Sequence, residues 1–325
     1  LLRALKELSA MVRFILNRLI VTVPTLILVS LFVFLLQKLL PGDPILVMAG
    51  ESRDPETIAL LRERYRMNDP IYMQYFYWLG DVFQGNLGRS LRSGLPVTDL
   101  IAQKLPVTIQ LAVMSMIFAM LVGVPAGMIS AVKKGTIWDY LANFTALSGL
   151  SIPNFWLGIM LILFVSVHLG WLPASGYESP FVDPWRSLQT TIMPAIVLGT
   201  GIAGALMRHT RSSMLGVLQA DYIRTARAKG LKEKTVIMSH ALRNALLPII
   251  TLSAVMFGEL LGGAVLTEQI FTIPGFGKMI VDAVFNRDYA VVQGVVLVTA
   301  TSFIIINLLA DILYFVLNPR MRASL

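Results

Sequence analysis

Apolar residues in this chain gather into long runs instead of alternating with polar ones, and six runs are long enough to cross a membrane. A hydrocarbon core needs about 20 apolar residues of helix. The runs extend from about Phe14 to Leu36, Pro106 to Val132, within Trp138–Leu169, Thr191 to Met207, Pro248 to Leu266 and Ala290 to Leu317. They predict an all-α polytopic membrane protein with six transmembrane helices. The third run is interrupted by Ser151-Ile152-Pro153-Asn154. It reads as a kinked helix beginning near Asp139, or as an interfacial helix followed by a short span over Phe155–Leu169. In both readings it crosses once, because two crossings need about 40 apolar residues. The first run is too long for a cleavable leader, and no small-x-small site follows it. Residues 1–10 read as an N-terminal extension, with Met11 a natural start.

Composition agrees and narrows the class. Hydrophobic residues make up 56% of the chain and charged residues 14%, whereas a soluble domain carries roughly 25% charged residues. Cys is absent, which excludes disulfides, thiolate metal sites and a Cys nucleophile. The formal charge of +8 would suggest nucleic acid on a soluble protein, but its distribution points elsewhere. With both termini inside, 16 of the 27 basic residues fall in the inner segments, eight of them between Arg208 and Arg243. Short inner loops rich in Lys and Arg set this orientation.

Two extramembrane stretches carry structure of their own. The outer one, from Pro41 to about Leu105, contains Asp54-Pro55 and Asp69-Pro70, each a capping acid followed by Pro at a first helical position. They predict short helices over 55–66, with Ile58, Leu61 and Tyr65 on one face, and over 70–84. The second holds Tyr72, Tyr75, Phe76, Tyr77 and Trp78, a density that suits a membrane interface or a docking surface, the former preferred. The inner stretch contains Asp221-Tyr222-Ile223-Arg224-Thr225-Ala226-Arg227-Ala228-Lys229-Gly230. It predicts a short basic helix opened by Asp221 and ended by Gly230. Lying on anionic lipid and docking a cytoplasmic partner are equally open on periodicity alone.

The search for chemistry finds little. Gly277-Lys278 lacks the first glycine and the Ser/Thr of a phosphate loop, since Thr272 and Met279 hold those positions. The run Gly199–Gly204 fits a dinucleotide fingerprint but lies inside a span, so close helix packing explains it better, together with Gly123/Gly127 and Gly258/Gly262. His168, His209 and His240 are too far apart in sequence for metal-ligand spacing. No catalytic, cofactor-binding or metal set assembles. Two acids do lie at membrane depth, where ionisable residues mark function by default. Glu259 shares a helical face with Met256 and Gly263 and could line a pathway, carry a proton or bond a neighbouring helix. Asp311, nearer the inner surface, is expected to pair with a basic residue.

Six runs, in order, resemble one family. They are Pro41-Gly42-Asp43-Pro44, Leu169-Gly170-Trp171-Leu172-Pro173, the inner stretch Asp221–Gly230 continuing through His240–Pro248, Phe271–Gly277, Arg287–Gly294 and Asn318-Pro319-Arg320-Met321-Arg322. The chain resembles, from Met11 onward, the permease subunits of bacterial ABC importers for dipeptides, oligopeptides and nickel. The resemblance implies a type I ABC importer transmembrane domain over 106–318. Residues 11–105 then form the first transmembrane helix and a periplasmic helical segment, and 319–325 a cytoplasmic tail. It implies that the segment about 219–238 is the EAA coupling helix, which meets an ATPase subunit through Asp221, Tyr222, Arg224, Thr225, Ala226, Arg227, Ala228 and Gly230. Arg224 stands where that pattern usually has Glu and Thr225 where it has its first Ala, while Ala226 and Gly230 match.

The implied partners are a second homologous permease, two ABC ATPases, a periplasmic or extracellular substrate-binding protein and the lipid bilayer, with no nucleic acid. ATP and magnesium sit on the ATPases and no cofactor sits on this chain, which is a transport subunit and not an enzyme. The implied location is the bacterial inner membrane with both termini cytoplasmic. Short peptides lead as cargo, ahead of nickel, glutathione and opine-like compounds. The competing class is a proton-coupled secondary transporter using Glu259 and Asp311, which predicts an internal inverted repeat that the sequence does not show.

Overall fold

A bilayer offers no water to backbone amides, so long apolar segments must close their hydrogen bonds internally. The computed structural model describes residues 2–39, 45, 54–64 and 66–317, and every regular element among them is helical. The predicted outer helices appear as α2 (Pro55–Arg64) and α3 (Ile71–Phe83), after α1 (Leu2–Leu39). Then come α4 (Val97–Val132), α5 (Ile137–Ser151), α6 (Asn154–Leu161) continuing as π-helix over Ile162–His168, and α7 (Pro184–Leu218). The short α8 (Asp221–Ala228) leads through a π-helical stretch, Val236–Leu242, into α9 (Arg243–Gly263). The chain finishes with α10 (Val265–Ile270), α11 (Phe276–Phe285) and α12 (Tyr289–Leu317). Tyr65 and the runs at 41–44 and 318–322 lie outside the described residues.

Among the described residues five helices are long and apolar enough to cross a membrane, and six crossings result if the bent pair α5–α6 is one span. That pair turns by 99° at Ile152-Pro153, where Pro removes an amide and pushes its predecessor out of helical geometry. The two halves follow α7 in one direction. Asp139 meets Arg211, Gly149 lies against Thr200, and Ser166 reaches Met193. The pair therefore forms one broken crossing.

Helices also outrun their apolar segments. α4 begins at Val97, not Pro106, and carries Pro106 and Pro125 within it. α7 extends past both ends of the 191–207 run, opened by Asp183, whose carboxylate accepts from the Arg186 amide at 2.9 Å with Pro184 at the first position. Hydropathy marks where lipid touches a helix, whereas capping marks where it starts.

The central packing unit is α4 against α7, with α5 on its flank. A Cβ on Gly123 would stand 2.6 Å from the Ala203 carbonyl oxygen, and one on Gly204 2.6 Å from that of Ala146. Small residues thus bring three backbones together, as membrane helices require when no hydrophobic effect drives their association. α1 lies on the outside of α12, and α3 leans on α1 through Ser30 Oγ to Tyr75 OH at 2.8 Å and the Phe34, Tyr75 and Trp78 rings. The far side of α3 leaves Tyr72, Phe76 and Phe83 exposed.

Candidate coupling and pathway sites

The predicted inner helix forms as α8, two turns long. Asp221 is its first helical residue, with Ala220 in the capping position. There the acid complements the positive end of the helix dipole without capping it. Ile223 and Ala226, one turn apart, are buried against Ala131, Met214, Val236, Ala241 and Ala245. That plug fixes which side faces out. Asp221, Tyr222, Arg224, Thr225, Arg227 and Ala228 are exposed. Of the eight residues expected to meet an ATPase, Ala226 instead packs inside its own subunit. Gly230 closes the helix at φ +77°, a left-handed conformation that favours Gly.

Two polar contacts hold α8 in place beside the plug. Asn244 Nδ2 donates to the Tyr222 hydroxyl at 3.1 Å, which ties the helix to the first turn of α9. Arg227 donates twice to Glu233, at 2.7 and 3.2 Å, and closes the turn beyond Gly230. Arg224 meets Asp221 at 3.5 Å with both side chains exposed, a geometry worth little. Sequence reading missed Asn244, although it lies in the His240–Pro248 run.

A second polar cluster braces the stretch leading into α8. Arg211 on α7 grips the Asp139 carboxylate with both Nε and a terminal nitrogen at 2.9 Å. Asp139 also accepts from the Gly135 amide at 2.9 Å, from Asn143 Nδ2 at 2.8 Å and from the Ser130 hydroxyl. A two-point guanidinium fork fixes orientation as well as distance. The cluster joins the end of α4, the start of α5 and α7 ten residues before Asp221. Arg211 lies just beyond the Thr191–Met207 run, and no sequence spacing links it to Asp139.

Toward the other end of α4 a carboxylate is buried with no counter-charge among the described residues. Glu268 on α10 is fully buried. It accepts from Thr108 Oγ1 at 2.7 Å and from the Lys278 amide at 2.8 Å, while Thr108 accepts in turn from the Phe276 amide at 2.8 Å. Burial pushes the Glu268 carboxyl up, opposed by the Thr108 hydroxyl and the Lys278 and Gly277 amides. A Cβ on Gly275 would overlap that carboxylate, so the close approach requires glycine. This hub pins the α10–α11 corner to α4. Its partners lie 160 residues apart, beyond any sequence spacing.

Glu259 is exposed on α9 and opens onto a cavity of about 290 Å³ between α9, α11 and α12, with Val265, Ile280, Val295 and Thr299 among its walls. Met256, expected on the same face, packs against the main helix core instead, and Gly263 is the last residue of α9. Asp311 meets Arg18 of α1 at 2.9 Å. No group of three or more acids or histidines among the described residues is placed to hold a metal ion.

Comparison with known proteins bears on what these sites serve. The model of the binding-protein-dependent transport system inner membrane component matches residues 123–323, and that of its N-terminal region matches 11–112. The dipeptide transport system permease protein DppB of Escherichia coli K12 is 45% identical over 336 residues, covering 96% of this chain and 99% of that protein. The oligopeptide transport system permease protein AppB of Bacillus subtilis 168 is 43% identical, covering 96% and 100%. The glutathione transport system permease protein GsiC of Escherichia coli O6:H1 is 42% identical, covering 96% and 99%. Among solved structures, an inward-facing MetNI methionine ABC transporter chain matches with a TM-score of 0.57 at 17% identity, covering 67% of this chain and 96% of that one. At that identity the likeness concerns the fold alone.

Proposed function

The chain belongs to the family of binding-protein-dependent transport system inner membrane components, and from that premise we propose that it is a permease subunit of an ATP-driven importer of short peptides. The three relatives named above carry dipeptides, oligopeptides and glutathione, and all three cargoes are short peptides. A second homologous permease, two ATPases on the inner face and a substrate-binding protein on the outer face complete the machine. ATP and magnesium stay with the ATPases. Both termini are cytoplasmic, which puts α8 inside and the α10–α11 corner outside.

The observation that carries the reading is the two-sided build of α8. Ile223 and Ala226 embed it in its own subunit while a charged and aromatic ridge is left uncovered. The ridge suits a groove on an ATPase. The embedded side makes α8 move as one body with the end of α7 and, through Tyr222 and Asn244, with the root of α9. α9 carries Glu259, which we assign to the translocation pathway. Closure of the ATPases on ATP then reaches the path along one continuous helix, and alternating access follows.

The test is reconstitution of the complete importer in proteoliposomes. Arg224→Ala removes a charge from the exposed ridge without disturbing the plug. Peptide uptake is expected to fall by about tenfold, the size of one interfacial charge contact, while the subunit still inserts and assembles. Wild-type uptake would remove α8 from the coupling role. Uptake that needs a proton gradient and no ATP would replace the importer with a secondary transporter.

A further inference from the structure

Glu259 is a charge in an awkward place. It lies four residues from the end of α9, in a segment apolar enough to cross a membrane. Its carboxylate has no hydrogen bond or ion pair among the described residues. Leaving an ionised carboxylate against hydrocarbon costs at least about 2.5 kcal/mol, so its surroundings in the assembled protein must be polar or cationic. The cavity it opens onto is otherwise apolar apart from the Thr299 hydroxyl. The wall offers one carboxyl group, one hydroxyl and an apolar lining.

That chemistry selects among ligands. A divalent metal needs at least about six oxygen ligands or a set of imidazoles, and the cavity walls supply neither. A proton relay needs a second titratable group within reach. Among the described residues Glu268 is engaged with Thr108 and Asp311 with Arg18, and neither lines the cavity. An ammonium group is different, because one carboxylate and one hydroxyl satisfy its donors while the apolar walls take an adjacent side chain. Resting on the reading of peptide import, we propose that Glu259 receives the α-ammonium group of the peptide in transit, with the first side chain in the cavity between α9, α11 and α12. The peptide then passes this point amino terminus first.

The experiment uses the complete importer with its binding protein, trapped with vanadate in proteoliposomes. Two tripeptides carry a benzoylphenylalanine photoprobe, one at the first residue and one at the third. The first-residue probe is expected to label residues 258–263 or 295–303, the third-residue probe is not, and Glu259→Gln is expected to lose the label. In parallel, Glu259→Gln should lower peptide uptake per ATP hydrolysed by about tenfold, as for the loss of one charge-assisted hydrogen bond. Glu259→Asp should retain most of the uptake, and the yield of assembled complex should hold in both variants. Equal labelling by the two probes, no label in these segments, or unaltered uptake in Glu259→Gln overturns the proposal. A collapse of complex yield in Glu259→Gln also overturns it and gives the carboxylate to the partner permease. A wild-type importer that takes up no peptide instead overturns the peptide reading itself.

Discussion

Helix α4 is held at its two ends by buried carboxylates that solve the same problem differently. Thr108, in the half of the helix that the proposed orientation turns outward, meets Glu268, and Ser130, about 33 Å along the helix, meets Asp139. Glu268 is surrounded by neutral donors, a hydroxyl and backbone amides, whereas Asp139 is gripped by the Arg211 guanidinium. Backbone amides are fixed by the chain path, so the outer hub works in only one arrangement of α10, α11 and α4. The fork fixes the Arg211 head group on the Asp139 carboxylate, but the flexible chain behind it lets the α7 backbone shift slightly against α5 without losing the pair. The difference fits the roles of the two ends. The α10–α11 corner is locked by shape, while the end ten residues before α8 would, under the proposed coupling role, transmit movement without losing its partner.

The sharpest way to break the comparison is at Gly275. Gly275→Val drives a side chain into the Glu268 carboxylate, combining overpacking with the loss of hydrogen bonds to a buried charge, a cost of about 4 kcal/mol. The expected result is a large drop in the unfolding midpoint of the detergent-solubilised complex. A midpoint unchanged from wild type would mean that the outer hub is not locked by shape. At the inner end Asp139→Asn leaves Arg211 without its counter-charge. Because the Arg211 side chain is 26% exposed, water offsets part of the penalty, and about 2 kcal/mol is expected. Asp139→Asn combined with Arg211→Met should cost less than the sum of the two single changes. Strict additivity would show that the fork carries no coupling.

The same contrast explains what could be read from the sequence. The crossings were legible because apolar length is a local property, and the bend at Pro153 was legible as a break though not as an angle. Helix ends were less so, since capping by Asp183 and the start at Val97 lie outside the apolar runs. The short helix at Asp221–Ala228 was visible, including its Gly230 terminus. Which of its faces turns inward was not, because Met214, Val236 and Ala241 decide that from other parts of the chain, and so Ala226 was read as a partner contact. The Glu268 hub was invisible for the same reason in stronger form. Thr108, Glu268 and Gly275 carry no shared motif, and only the fold brings a hydroxyl, a carboxylate and a missing Cβ to one point.

The smallest expected effect lies at a third carboxylate, which tests whether burial is what separates the first two. Asp311 meets Arg18 at 2.9 Å, but the side chains are 28% and 48% exposed, and the pair joins the peripheral α1 to α12 far from the α4 hubs. Both residues sit at the ends of their candidate spans, Arg18–Leu35 and Tyr289–Ile312, where headgroups and water reach them, so the Coulombic gain is largely cancelled by solvation and side-chain entropy. Asp311→Asn should therefore cost only about 0.5 kcal/mol and leave peptide uptake per ATP unchanged. A loss as large as that of Asp139→Asn would show that α1 is clamped to α12 by this pair as firmly as α7 is to α5. The distinction between the locked, the swinging and the peripheral carboxylate would then reduce to charge pairing alone.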